Sequence, residues 1–486
     1  MKFAHLWFAF LCLVLLLTAC GSDDDDDQVD DDDQVDDDDS LADDDSTSAD
    51  DDDATPVDDD DDTVDPTADW LRVGFSQIEV TPCESVILGG YGLPAFTRNS
   101  CRWSEGTHDP LYALGFAVED PQNARPAILI VLDIVGIMAP ETARVREGVA
   151  TALGLSDVNV IVAATHVHSG PDTVGLWGSL IPIESGRDEQ VIDAIIDGAI
   201  AAGVAAWEAR EPAILSTAVG AEADYHENRI DFEPNGDIDD TLTVVAATDA
   251  DGELLGTLMN WACHPTIMGQ QNKLMTAGWP GAYRRLMAER FGGTHLFIQG
   301  AIGDAIEPLN PVNPFPSWNL GLAWGSWEAI EEFATVIADD ATEIMYNLAP
   351  LESQRLQINE AGEFSMTLDN IMFWAAAISG LIPREAPLVG ETFSTPIATF
   401  AVGGLGFATL PGEYATAYGF ALRELMGGSA QVIVGLGMDW LGYTITPAQY
   451  DDVLSYYYQI VLSPSELAGE NMMEAYGAVW ASPTVE

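Results

Sequence analysis

The sequence predicts an α/β protein: one large domain with a mixed central sheet flanked by helices. Three observations carry this. Apolar runs of strand length alternate with helical patterns along the chain. The runs are nearly continuous rather than alternating, as in strands buried on both faces. The chain has 486 residues, 47% apolar and 9% aromatic, which supports a sizeable core and excludes disorder throughout.

Met1 and Lys2 give a minimal basic start, and Leu6 to Leu17 is an apolar run of leader length, too short to span a bilayer. Leu17-Thr18-Ala19-Cys20-Gly21 follows, with small residues just before Cys20. It resembles a bacterial lipobox, which implies a signal peptide over residues 1–20 that is removed just before Cys20, with Cys20 lipidated as the new first residue. Gly21 after the cysteine, again by resemblance, favours the outer membrane or cell surface. No later segment has 18 uninterrupted apolar residues, so the expectation is a lipid-anchored envelope protein rather than a spanning one.

Residues 21–69 carry 27 aspartates and no Lys or Arg, and Gln-Val-Asp-Asp-Asp-Asp occurs twice, at 28–33 and 34–39. Like charges repel and nothing apolar can pack, so an extended, disordered tether is expected. The whole chain carries −63, and outside the tether 53 acids still face 17 bases. That excludes nucleic acid as the default partner.

From Trp70 onward the composition is globular, and residues 70–486 read as one domain. Strand runs are expected at 127–133, 158–164, 241–247, 254–260, 295–299, 397–403 and 431–435. Helical patterns lie at 140–153, 188–208, 280–291, 325–346 and 413–426, with Pro280 suited to a first turn. Residues 371–388 are apolar but carry Gly380 and Pro383. They read as a core helix or as a lid lining an acyl groove. Export permits disulfides, and Cys83 with Cys101 would close a Gly/Pro-rich loop. Cys263, in an apolar stretch, reads as a buried thiol.

The chemistry-bearing residues sit where apolar runs end. His166 and His168 follow the run at 158–164, in an extended stretch that sets both imidazoles on one face. His-x-His suits metal ligation and suits packed core histidines equally. His264 follows another apolar run and is halted by Pro265. Glu413 lies in Leu410-Pro411-Gly412-Glu413, where a carboxylate can ligate a cation or cap a helix. Gln299 to Asp304 is a Gly-rich strand exit. Neither a Gly-x-Ser-x-Gly elbow nor a His-Glu-x-x-His helix occurs. Two histidines and a carboxylate at strand ends fit a catalytic zinc.

Nine segments, in order, resemble the neutral/alkaline non-lysosomal ceramidase family. They are Phe75–Pro82, Gly89-Gly90-Tyr91-Gly92, Gly106–Asp109, His166–Pro171, Asn228-Arg229, Asn260–Thr266, Phe297–Asp304, Pro411–Glu413, and Tyr443–Thr446 with Tyr450. The resemblance covers roughly residues 71 to 460. It implies one Zn2+ held by His166, His264, Glu413 and Tyr443, with His168, Arg229 and Tyr443 beside the scissile amide. It also implies substrate contacts by Asp304 and Glu307. The implied substrate is ceramide or a related N-acyl amide, reached from a membrane.

The chain departs from the family in two motifs. Gly-Asp-Val-Ser-Pro becomes Gly303-Asp304-Ala305-Ile306-Glu307-Pro308, so Glu307 stands where the family has serine. The family's Ser-x-Asp becomes Thr276-Ala277-Gly278. The chain also stops at Glu486, without the family's C-terminal immunoglobulin-like domain. Two other readings stay open: a zinc hydrolase for another amide or ester, and an inactive binding lipoprotein displayed on the surface.

Overall fold

Strands β1 (Leu71–Glu79), β2 (Tyr112–Glu119) and β3 (Ala127–Leu132) open the body, followed by helix α1 (Ala139–Leu153) and β4 (Asn159–Ala164). Helix α2 (Glu189–Glu208), β5 (Glu211–Ala221), short β6 (His226–Asn228), β7 (Thr241–Asp249) and β8 (Leu254–Trp261) come next. Then come α3 (Gly278–Phe291), β9 (Thr294–Gln299), short β10 (Ile306–Pro308), α4 (Trp327–Met345) and α5 (Ile371–Ile378). The remainder holds β11 (Thr399–Val402), β12 (Leu405–Leu410), β13 (Glu413–Tyr414), α6 (Thr416–Met426), β14 (Ala430–Gly435), β15 (Tyr443–Thr444) and α7 (Ala468–Ala481). The computed structural model describes residues 66–481 except 124, 223, 231–236, 310–324, 359–361 and 386. The leader, Cys20 and tether residues 21–65 lie outside the described residues. Residues 66–69 already form a turn: Trp70 N–H donates to the Thr67 carbonyl at 2.9 Å.

The main sheet runs β9-β8-β7-β5-β1-β2-β3-β4, with Ala349–Pro350 along β5. Pairs β8/β9 and β3/β4 are parallel and the others antiparallel, so the sheet is mixed. A second, smaller sheet contains β11, β12 and β14, with Leu356–Gln357 at its edge.

The alternation along β3 shows what covers each face. Ile128, Ile130 and Leu132 join a core with residues of α1 and α2. Leu129 and Val131 point the other way, into a core with Phe400, Phe407 and Val432 of the second sheet. Further along the main sheet, Trp261 and Phe297 pack against Trp279 of α3 and Phe333 of α4. The second sheet carries α6 and α7 on its far side, through Tyr418, Leu422, Met472 and Tyr476. The layers are helix, sheet, sheet, helix. Helices therefore cover one face of the central sheet and a second sheet covers the other. Both arrangements bury a strand on two sides, so the continuous apolar runs do not distinguish them.

The helices begin and end where local chemistry allows. Asp188 caps α2 by accepting from Gln190 and Val191 N–H, and the stripe Val191, Ile192, Ile195, Ile196 and Ala199 faces the sheet. Helix α1 has Pro140 in its first turn and ends on Gly154 at φ +65°. Residues 371–388 form neither one long helix nor a free flap. Helix α5 is eight residues long, capped by Asn370. Phe373, Ala377, Leu381 and Ile382 are buried, whereas Ile378 and Leu388 are exposed. Arg384 pairs with buried Asp439 and ties the segment down.

The expected Cys83–Cys101 disulfide is absent. Cys83 is exposed and free. Cys101 is buried in the core, its thiol 3.8 Å from the Thr97 carbonyl. The two side chains face solvent and core, so no bridge closes. Cys263 is a fully buried thiol, as expected.

Candidate metal centre

The candidate residues converge where strands of both sheets end. His166 and His168 leave β4, His264 leaves β8, and Glu413 leaves β12 through Pro411-Gly412. Asn260 stitches the two sheets there: its Nδ2 donates to the Ile298 and Ile433 carbonyls at 2.9 and 2.8 Å, and its Oδ1 accepts from Ile433 N–H. The sheets also meet at a bridge between Ala163 and Gly437.

Each imidazole is held from behind. His166 adopts φ +68°, a left-handed conformation uncommon for a side-chain-bearing residue and typical of functional sites. Its N–H donates to the Ile134 carbonyl at 3.1 Å and its Nδ1 to the Val135 carbonyl at 2.6 Å. Thr165 just before it bonds Asp133, which also takes a buried, two-pronged contact from Arg284 of α3 at 2.8 and 2.6 Å. His264 uses one acceptor twice: its backbone N–H and its Nδ1 both donate to the Ile306 carbonyl, at 2.9 and 2.7 Å. The Gln299 amide brackets Cys263, accepting from its N–H and donating to its carbonyl. With Nδ1 protonated and bonded to backbone, both rings turn an Nε2 lone pair inward, as metal ligands do.

His168 is placed by shape. Gly90, at φ +111°, packs flat on it, and a Cβ there would lie 2.4 Å from His168 Cγ. Tyr91 meets its ring edge-on at 4.7 Å, and Arg102 donates to both the Gly89 and His168 carbonyls. Both nitrogens of His168 are buried without a hydrogen-bond partner. Burial and the neighbouring His166 and His264 push its pKa well below 6.5, so the ring is neutral.

The donor atoms of His166, His168 and His264 lie within 4.8 Å of one another, and all three are buried. Glu413 Oε2 is 3.3 Å from His264 Nε2 and 3.5 Å from His166 Nε2. The longer contact is an ion-pair distance without hydrogen-bond alignment, and His166 Nε2 is left unpartnered. Burial alone would raise the Glu413 pKa, but the two histidines outweigh it and hold the carboxyl ionised, well below the usual range. Glu413 and Tyr443 are opposite each other in the parallel pair β13/β15. Burial first, then the facing Glu413 carboxylate, raise the Tyr443 pKa well above 10. Two imidazoles that turn Nε2 inward, a third imidazole beside them, an ionised carboxylate and a phenol form a donor set suited to zinc.

The structure brings His166, His168, His264, Glu413 and Tyr443 together. His168 completes the group of three histidines that could hold a metal. Arg229 pairs with Glu307 at 2.7 Å, and its charge reaches Tyr443, Tyr458 and Tyr91. Asp304 is held by two hydrogen bonds. Its Oδ2 accepts from Thr416 N–H at 2.7 Å and its Oδ1 from Gln449 Nε2 at 2.5 Å. It lines a cavity of about 320 Å³ with Asn228, Asp237 and Tyr456, with one oxygen on the first turn of α6 and the other on Gln449. Arg102 and Tyr458 carry no sequence signal of a role. Only the scarcity of basic residues, 17 in the chain, marks a buried arginine such as Arg102 for notice.

Residues 71–297 match the model of the family described as neutral/alkaline non-lysosomal ceramidase, N-terminal. The chain is 26% identical over 254 residues to the neutral ceramidase of Pseudomonas aeruginosa, covering 49% of this chain and 37% of that protein. It is 25% identical over 233 residues to neutral ceramidase 2 of Arabidopsis thaliana, covering 45% of this chain and 30% of that protein. The match therefore spans about a third of each relative's length. In fold, it is similar to the crystal structure of the neutral ceramidase from Pseudomonas aeruginosa, with a TM-score of 0.64, 19% identity, and coverage of 86% of this chain and 75% of that one. It is similar as well to a structure described as ceramidase complexed with C2, with a TM-score of 0.66, 18% identity, and coverage of 85% and 75%.

Proposed function

We propose, from the membership of residues 71–297 in the neutral/alkaline non-lysosomal ceramidase family, that the chain is a zinc-dependent hydrolase of an N-acyl amide. The substrate is ceramide, cleaved to sphingosine and fatty acid, or a related lipid amide. The single observation that carries the reading is the buried cluster of His166, His168, His264 and Glu413, with the Nδ1 atoms of His166 and His264 fixed on backbone carbonyls.

His166, His264, Glu413 and Tyr443 would hold the ion, with His168 beside them. A bound zinc supplies a water of pKa near about 7 and an electrophile for the amide carbonyl. Glu413, ionised beside the His166 and His264 imidazoles, faces Tyr443 across the β13/β15 pair. Tyr443 keeps its proton at neutral pH and is a donor toward the charge that develops on the amide oxygen. Arg229, cationic throughout, contributes a second donor near the same tyrosine. His168 is neutral, carries both a donor and an acceptor nitrogen, and can move a proton toward the leaving amine.

The purified full-length chain, given a fluorescent short-chain ceramide, should release fatty acid, and a zinc chelator should abolish the release. His166→Ala should lose most of the bound zinc. Wild-type-like zinc in that variant would overturn the metal assignment. No release by folded, zinc-loaded protein would overturn ceramide as the substrate. Glu307 in the family's serine position favours the second reading, a different amide or ester. Lipidation at Cys20 and the Asp-rich tether would set the body at a membrane surface, where lipid amides reside.

A further inference from the structure

Glu307 lies directly beside a residue that holds the candidate metal cluster. It follows Ile306, whose carbonyl holds His264 by both backbone and ring. It sits on β10, which pairs antiparallel with β6, so that Glu307 is opposite Glu227. Arg229 leaves β6 with its own N–H bonded to the Ala305 carbonyl at 3.3 Å. The two side chains meet, Arg229 Nη1 to Glu307 Oε1 at 2.7 Å, with the guanidinium about one-third exposed and the carboxylate about one-tenth. Glu307 also acts on Tyr91, which packs against His168.

A guanidinium next to a reacting amide is a ready receptor for a carboxylate. Here that receptor is filled from within the chain. We propose that Glu307 is a specificity-determining residue: by occupying Arg229 it sets the site against amides that carry a carboxylate on the amine half, and for amides whose amine half bears hydroxyls or a cation. An anionic substrate must sit beside Glu307 or displace it. Two like charges at contact in a partly solvated site discriminate roughly tenfold. A hydroxyl-bearing amine half finds in Glu307 an acceptor beside the Arg229 donors. A serine at the same position would leave Arg229 open to an anion.

The inference rests on the amide-hydrolase reading, and binding separates the two. The metal-loaded full chain is titrated with N-dodecanoylethanolamine and N-dodecanoylglycine, which share an acyl chain and differ in one charge. Wild type should bind the ethanolamide about tenfold more tightly. Glu307→Gln should remove most of that ratio by tightening the glycine amide, and Glu307→Asp should restore it. Thermal unfolding of each variant checks its fold. A purely structural role for Glu307 would shift both affinities together and leave the ratio unchanged, which would overturn the proposal. So would binding of neither amide by wild type. If wild type binds with the expected ratio but cleaves neither amide, hydrolysis fails while the specificity assignment stands.

Discussion

His226 is a buried imidazole with no polar partner on either nitrogen among the described residues, packed 4.7 Å from the ring of Trp261. Burial pushes its pKa down to about 4, against a smaller opposing pull from Asp239. The ring is neutral in the folded protein and charges readily in the unfolded chain. Its contribution to stability is therefore fully present above pH 6.5 and is lost as pH falls from 6.5 through 4. His226→Phe removes that loss. The variant should gain up to about 3 kcal/mol relative to wild type between pH 6.5 and pH 4, read from denaturant unfolding across that range. A gap that does not change with pH would mean that the ring is solvated or charged. Among the site residues the sequence marked the histidines and Glu413, because each stands where an apolar run stops. It could not mark Arg102 or Tyr458, whose roles come from long-range packing onto Gly89, His168 and Gly92.

Helix α6 shows what one element needs from another. Its N-cap residue Ala415 has no side chain able to cap, so the first turn takes its acceptor from Asp304, 112 residues away in sequence. Asp304→Ala should cost about 1–2 kcal/mol in unfolding free energy, and Asp304→Asn should recover much of it because its amide oxygen still accepts from Thr416 N–H. An equal loss in both variants would mean that the negative charge, not the acceptor, is what α6 requires. Local signals such as Asp188, Pro140 and Gly154 make the helix ends legible. The seven strand runs are legible because they are buried on both sides. Strands β1, β2 and β5 mix small or polar residues with apolar ones, and periodicity alone does not single them out. Two-sided burial reads the same under a helix layer or a second sheet, so the layer order was not legible either.

At the scale of the whole molecule, the cluster takes His166, His168 and His264 from ends of the main sheet and Glu413 from the second. An ion bound there would join the two sheets. Bound at 100 to 1,000 times its dissociation constant, it adds about 3–4 kcal/mol to stability. Chelation should lower the thermal midpoint of wild type, and His166→Ala should start low and lose little more. A midpoint that ignores the chelator in wild type would exclude a metal that bridges the sheets. The Asn260 stitch carries a related consequence. The donors are scattered from His166 to Tyr443, and the carboxylate reaches the histidines only after both sheets have closed on each other. Contacts of such sequence separation form late and slowly. A chain still emerging from the ribosome has no such cluster, so a cation would load only after closure. Metal content would then report whether the two sheets have closed on each other.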